Sequence, residues 1–199
     1  MAAIPRSKPR ATREEVIQGL ISSGLWSNDK VSKLSVAGVR GYYDASMGLP
    51  GNDRGIWDDA VFLIGPDTFE SFNFNTDPSS YRKGMATLES PQRVVYTPGY
   101  HGFGRSSGHP AFRQSSDVVV LRDRGVGNGT KLGKGRFTDE GASRFWINLH
   151  RGGRITTSSA GCQTVPPSQW EDFYALVRAK LEKYDQSSFS YFLFDGPIT

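Results

Sequence analysis

Cysteine is almost missing from this chain: Cys162 is the only one in 199 residues. A single thiol excludes an internal disulfide framework and every zinc site built on several cysteines. Histidine is nearly as scarce, with only His101, His109 and His150. No apolar run approaches the ~18 residues that a membrane-spanning helix requires. The opening stretch, "MAAIPRSKPRATREEV", is basic but lacks the apolar segment of a secretory signal peptide. Stable membrane insertion is therefore not expected. Long runs of one charge are also missing. The net charge of +4 suits a polyanionic surface such as bacterial cell wall, and equally suits plain solubility. Its basic residues are dispersed, with no Lys/Arg stripe interleaved with aromatics, so nucleic acid is not the expected partner.

What is present is enough for a core: 37% hydrophobic and 12% aromatic residues, punctuated by 23 glycines and 11 prolines. This composition predicts strands joined by many turns. Residues 1–11 read as a basic flexible arm, and 12–199 as one catalytic-size domain. "TREEVIQGLISSGLW" opens with a capping box, Thr12 with Glu15, and predicts a helix over about 13–23, stopped near Gly24. "IWDDAVFLIG", "FESFNFN", "QRVVYTPG", "SDVVVLRD" and "SFSYFLFD" read as strands, and "GVGNGTKLGKG" as a surface hairpin. "RFWINLHRGG" also reads as a strand. "PPSQWEDFYALVRAKLEKY" is the clearest helix, with Trp170, Phe173, Tyr174, Val177, Leu181 and Tyr184 along one face. Asp58 and Asp59 are expected to cap turns and pair with Arg54. The fold class is α+β: a largely antiparallel sheet with a helix near each end.

The chemistry centres on "TTSSAGCQTVPP". A cysteine is a nucleophile when its thiolate is populated, which a neighbouring histidine can bring about. In "WINLH", strand parity places Trp146, Asn148 and His150 on one face and Ile147 and Leu149 in the core. Cys162 and His150 are the candidate catalytic pair, and the amides of Gly161 and Cys162 are the candidate oxyanion donors. The alternative is a small buried cysteine and an unrelated histidine. His101 and His109 read as substrate contacts, with Tyr100 and Phe103 lining a groove, and His101, with Gly99 and Gly102 close by, reads as a loop residue aimed at the site. Zinc held by His101 and His109 with Asp44 or Asp58 matches no dependable ligand spacing, so no metal and no cofactor are expected.

"INLHRGGRITTSSAGCQTV" resembles the signature of the L,D-transpeptidase (YkuD-like) catalytic domain: a histidine on a strand, a loop of a dozen or more residues, then Ser159, Ala160, Gly161 and Cys162. The wider pattern, "GYYDASMG…NDRGIWDDAVFLI…FNTDPS…GYHGFG", resembles endolysins of this class encoded by bacteriophages. The resemblance implies a β-sandwich-like fold and a cysteine enzyme that cleaves L,D-peptide bonds in peptidoglycan stems, attacking a diaminopimelate carbonyl while the histidine takes the thiol proton. It also implies that a backbone carbonyl just after His150 orients the imidazole; Asn148 is the side-chain alternative. The chain departs from the family pattern at Ala160, where histidine is common, at Thr164, where arginine is usual, and at Arg151, where Gly or Ser is frequent. Carboxylate recognition then falls to Arg151, Arg154 or Arg144, with Ser159, Asn148 and His101 as further substrate contacts.

The leading expectation is thus a monomeric phage-type peptidoglycan peptidase. It would accumulate in the host cytoplasm without a signal peptide and reach the wall after the membrane is permeabilised. The competing expectations are an L,D-transpeptidase, a non-catalytic cell-wall-binding or phage structural protein, and a DNA-associated protein motivated only by the basic balance.

Overall fold

A computed structural model describes residues 1–27, 31–47, 54–102, 104, 106–127, 130–131, 133–138 and 144–198. Helix α1 (Arg13–Ser22) starts where the capping box places it: the Glu15 amide donates to the Thr12 hydroxyl, and the Glu15 carboxylate accepts from the Thr12 amide. Gly24, at φ 72°, ends it. Helix α2 (Pro167–Lys183) begins at a proline whose missing N–H costs nothing in the first turn. Residues 1–11, read above as a flexible arm, lie against the domain. The amides of Arg10 and Ala11 donate to the Tyr42 hydroxyl, the Pro9 carbonyl accepts from Ser71, and the Ala3 carbonyl accepts from the Trp57 amide.

The main sheet has eight strands in the order β12 (Gln163–Val165), β11 (Leu149–Arg151), β6 (His109–Gln114), β5 (Gln92–His101), β13 (Phe189–Asp195), β1 (Ser35–Arg40), β2 (Asp59–Gly65) and β3 (Thr68–Phe74). Its pairings are antiparallel except β1 with β13 and β11 with β12. The sheet curls until its ends meet: Asn75, just past β3, and Thr164 on β12 exchange both backbone hydrogen bonds at 2.9 Å. The result is a nearly closed, barrel-like sheet. A second sheet of β10 (Lys134–Thr138), β7 (Val119–Asp123) and β4 (Ala86–Leu88) accompanies it. The expected hairpin is present as β8 (Val126–Gly127) paired with β9 (Thr130–Lys131).

Two cores hold these layers. One gathers Val36, Leu63, Phe74, Leu88, Tyr96, Phe112, Val120, Leu149 and Tyr191 around Trp170, Phe173, Val177 and Leu181 of α2. The other packs Val16 and Leu20 of α1 onto Ala37, Val39, Ala60, Phe62, Ile64, Phe192 and Phe194. Burial on both faces explains why β2 reads as an unbroken apolar run rather than an alternation. Strand β1 carries Gly38 where a Cβ would stand 2.1 Å from the Tyr191 hydroxyl, so the missing side chain makes room for a core tyrosine.

Asp59 caps backbone as expected, accepting from the amides of Gly41 and Thr76 at 2.6 Å each. Arg54 does not pair with it; Arg54 forms a buried ion pair with Asp123. Among the described residues no helix is long and apolar enough to cross a membrane.

Candidate functional site

Strand register assembles the site. His101 on β5 lies opposite His109 on β6, and Ala111, two residues along β6, lies opposite His150 on β11. Side chains two apart share a face, so all three histidines stand on one side of the sheet. On β12, Thr164 pairs with His150, and stepping back two residues brings Cys162 to that same side. The rings of His101 and His150 stack with centroids 4.0 Å apart and planes 21° apart, while His109 sits edge-on at 5.3 Å from His150. One ligand atom each of His101, His150 and Cys162 lies within 4.8 Å of the other two.

His150 is 2% exposed. Its Nδ1 hydrogen-bonds the Arg151 carbonyl at 2.7 Å, which fixes the tautomer with Nδ1 protonated. Nε2 is then the basic nitrogen, and it is buried without a hydrogen-bond partner among the described residues. Burial first, then the neighbouring His101, pushes the imidazole down to about 3, against the opposing pull of the Arg151 carbonyl. Burial pushes the Cys162 thiol up to about 11, partly countered by the Asn148 amide. The thiol also donates to the Trp146 carbonyl at 3.5 Å. Both shifts favour a neutral thiol beside a neutral imidazole over the expected thiolate.

The cysteine turn is rigidly held. The Ser159 hydroxyl donates to the Cys162 carbonyl at 2.7 Å and accepts the Gly161 amide at 3.0 Å. The Ala86 amide donates to the Ala160 carbonyl and the Ser79 amide to the Ser159 carbonyl. Gln163 Nε2 reaches the carbonyls of Thr76 and Gly161, and its Oε1 accepts from Tyr191. Gly161, at φ 151°, is required here, since a Cβ would stand 2.6 Å from the Ala86 carbonyl oxygen.

Several expectations change on this geometry. The Gly161 amide is occupied by Ser159, which leaves the Cys162 amide as the oxyanion candidate. Ser159 is buried and braces the turn rather than facing a substrate. Residues 144–148 are not a strand: Trp146 is left-handed at φ 54°, which breaks the parity, turns its carbonyl to the thiol and places its exposed ring beneath the Arg113 guanidinium. Asn148 does reach the histidines, but touches His101: its Oδ1 accepts the Gln114 amide at 3.1 Å and its Nδ2 lies 3.2 Å from His101 Nδ1. Ile147 and Leu149 are buried as expected. Arg151 and Arg154 are exposed, and Arg144 approaches the Gln114 carbonyl. Asp44 and Asp58 are not in the His101–His150–Cys162 group. Phe103 lies outside the described residues. His109, weighed from the sequence with His101 as a substrate contact or a zinc ligand, is a neighbour of His150 here; the bracing roles of Gln114, Gln163, Ser79 and Ala86 were not read from the sequence, and only strand register would have revealed them.

Comparisons with family models, curated proteins and solved structures find no match to this chain.

Proposed function

We propose that the protein is a cysteine peptidase of L,D-transpeptidase type that cleaves L,D-peptide bonds in peptidoglycan stems, as a phage endolysin acting on the wall once the membrane is permeabilised. The observation that supports this reading is the juxtaposition of Cys162 with a carbonyl-anchored His150 whose basic nitrogen is unpartnered. Sγ attacks the diaminopimelate carbonyl carbon as Nε2 takes the thiol proton. The carbonyl electron pair moves onto oxygen, where the Cys162 amide is the candidate donor. Collapse expels the amine, which receives the proton from His150, and leaves a thioester. Water then attacks the thioester to regenerate the thiol; an amine in place of water gives transpeptidation. The exposed guanidinium groups of Arg151 and Arg154 are the proposed carboxylate clamp.

Mass spectrometry of purified sacculus fragments after incubation tests this directly. New diaminopimelate carboxyl ends are expected with the wild type and not with Cys162→Ala; identical fragments from both would sink the reading. A non-catalytic wall-binding role is the second reading, since burial of the 9% exposed thiol pushes its titration up and away from an active thiolate. It requires sedimentation with sacculi without any new ends.

A further inference from the structure

We propose that His109 is a second general base of the site, which holds, between its Nε2 and that of His150, the water that hydrolyses the thioester on Cys162. This role rests on the peptidase reading and deepens it: it assigns a residue to the half-reaction in which water, rather than an amine, takes the acyl group. His109 opens β6, where pairing with His101 on β5 sets its ring on the histidine face of the sheet. Its Nδ1 lies 3.1 Å from the Ser107 carbonyl oxygen. A carbonyl only accepts, so Nδ1 carries the proton and Nε2 keeps its lone pair. His150 is set the same way by the Arg151 carbonyl. Both Nε2 atoms are therefore acceptors, and both are buried without a hydrogen-bond partner among the described residues.

Native proteins rarely bury such atoms unanswered. Two acceptors cannot satisfy each other; they need a donor with two hydrogens, and water is the smallest. Two hydrogen bonds of about 2.8 Å meeting at one oxygen span up to roughly 5.6 Å. That is the scale of the 5.3 Å between the two ring centres, which meet edge-on. His109 is not in the group whose ligand atoms lie within 4.8 Å of one another, so the thiol proton falls to His150 and the task left to His109 is the water. Tying both O–H bonds to imidazoles leaves the oxygen lone pairs for the carbonyl carbon. As the C–O bond forms, His109 Nε2 takes one proton. The C–S bond then breaks, its electron pair leaves on sulfur, and sulfur takes the second proton of the former water through His150. The product is a carboxylate, the proton on His109 passes to solvent, and nothing is oxidised or reduced.

Steady-state hydrolysis of purified tetrapeptide stems tests this. In His109→Gln kcat should fall by about 100-fold, the lower end of what a general base contributes, while kcat/KM, which ends at thioester formation, is retained. Intact-mass spectrometry should find the acyl group accumulating on Cys162 of the variant. A raised KM with kcat unchanged would make His109 a plain substrate contact, and kcat falling together with kcat/KM would make it structural; either overturns the proposal. Nitrogen-15 NMR of the wild-type imidazoles needs no variant: His109 should be the Nδ1-protonated tautomer, and the Nε2-protonated one overturns the proposal whether or not His109→Gln folds. A wild type that cuts sacculi beside an unimpaired His109→Gln keeps the peptidase and loses the second base. If neither protein cuts sacculi or carries an acyl group, the peptidase reading falls and the second base with it.

Discussion

The ionisation state of Cys162 is open to a direct test. Free cysteine titrates near 8.5 and is about 9% thiolate at pH 7.5. With the thiol pushed up to about 11 by burial, the thiolate fraction at pH 7.5 falls to about 0.03%. Ionisation alone then slows alkylation about 300-fold relative to an unperturbed thiol, with a factor of about ten either way. His150 does not offset this. Moving the proton from a thiol near 11 to an imidazole near 3 costs on the order of 10 kcal/mol before the new charges attract one another. The assay is iodoacetamide modification of Cys162, followed by mass spectrometry from pH 6 to 10. The rate constant should climb tenfold per pH unit throughout. Steric hindrance scales the whole curve but leaves its slope untouched, so the slope is the diagnostic. A plateau between pH 6 and 8 would refute the reasoning, because it would mean a preformed thiolate–imidazolium pair. His150→Ala should leave the rate at pH 7.5 unchanged or raise it by admitting water, whereas an ion pair would make it fall.

Cys162→Ala should abolish release of new carboxyl ends while leaving the circular dichroism spectrum unchanged; full activity would end the peptidase reading. Gly161→Ala should cost activity and at least about 1–3 kcal/mol of stability in urea unfolding, since the 2.6 Å clash with the Ala86 carbonyl overpacks the turn; a neutral result would mean the turn is pliable. Activity should persist in EDTA; loss of activity in EDTA with rescue by zinc would make a metal a participant. Stability against pH has two opposing contributions. Burial raises Asp59 to about 7, so its contribution is full below about pH 4 and is lost as pH rises through 7. His150 is lowered to about 3, so its folded form binds fewer protons and stability rises with pH from about 3 to 6.5. The wild type should be nearly flat from pH 5 to 6.5, and His150→Ala should lose about 1 kcal/mol per pH unit there; parallel profiles would contradict both assignments.

The parts of the fold written locally were legible. Thr12 and Glu15 mark the start of α1, Gly24 its end and Pro167 the start of α2, because capping and proline geometry involve residues within a turn of each other. The aliphatic, β-branched and aromatic runs became β2, β5, β7 and β13. Strand β1 was missed because "SVAGVR" carries a glycine whose reason, the ring of Tyr191, lies far along the chain. Strand β6 was missed because "HPAFRQ" begins with a histidine and a proline near an edge of the run. Trp146 was misplaced because one left-handed residue flips strand parity, and nothing in "RFWINLH" announces it. The imidazole cluster depends on the β5–β6–β11 register, which pairings between distant segments decide.

The spacing of His150 and Cys162, by contrast, was legible for a reason that β11 and β12 now supply. These strands are parallel neighbours, with His150 opposite Thr164. A chain cannot place a parallel strand beside its predecessor through a tight turn; it must run back along the full strand length, which takes about a dozen residues or more. Segment 152–162 is that return path. It is pinned midway, where Thr157 meets the Ser79 hydroxyl at 2.7 Å, and at its end, where the Gln163 amide donates to the Asn148 carbonyl at 2.8 Å. Shortening the segment would pull Cys162 off the His150 face, and adding one residue between Cys162 and the paired Gln163 would send the sulfur to the opposite side of β12. Inserting one glycine between Arg154 and Ile155, in the exposed part of the return, should be absorbed before the pinned Thr157 and leave thiol alkylation unchanged. The same insertion between Cys162 and Gln163 should shift the parity, carry the thiol out of its buried place and so raise its alkylation rate near neutral pH. Equal alkylation profiles for the two insertions would mean that parallel pairing does not set the site.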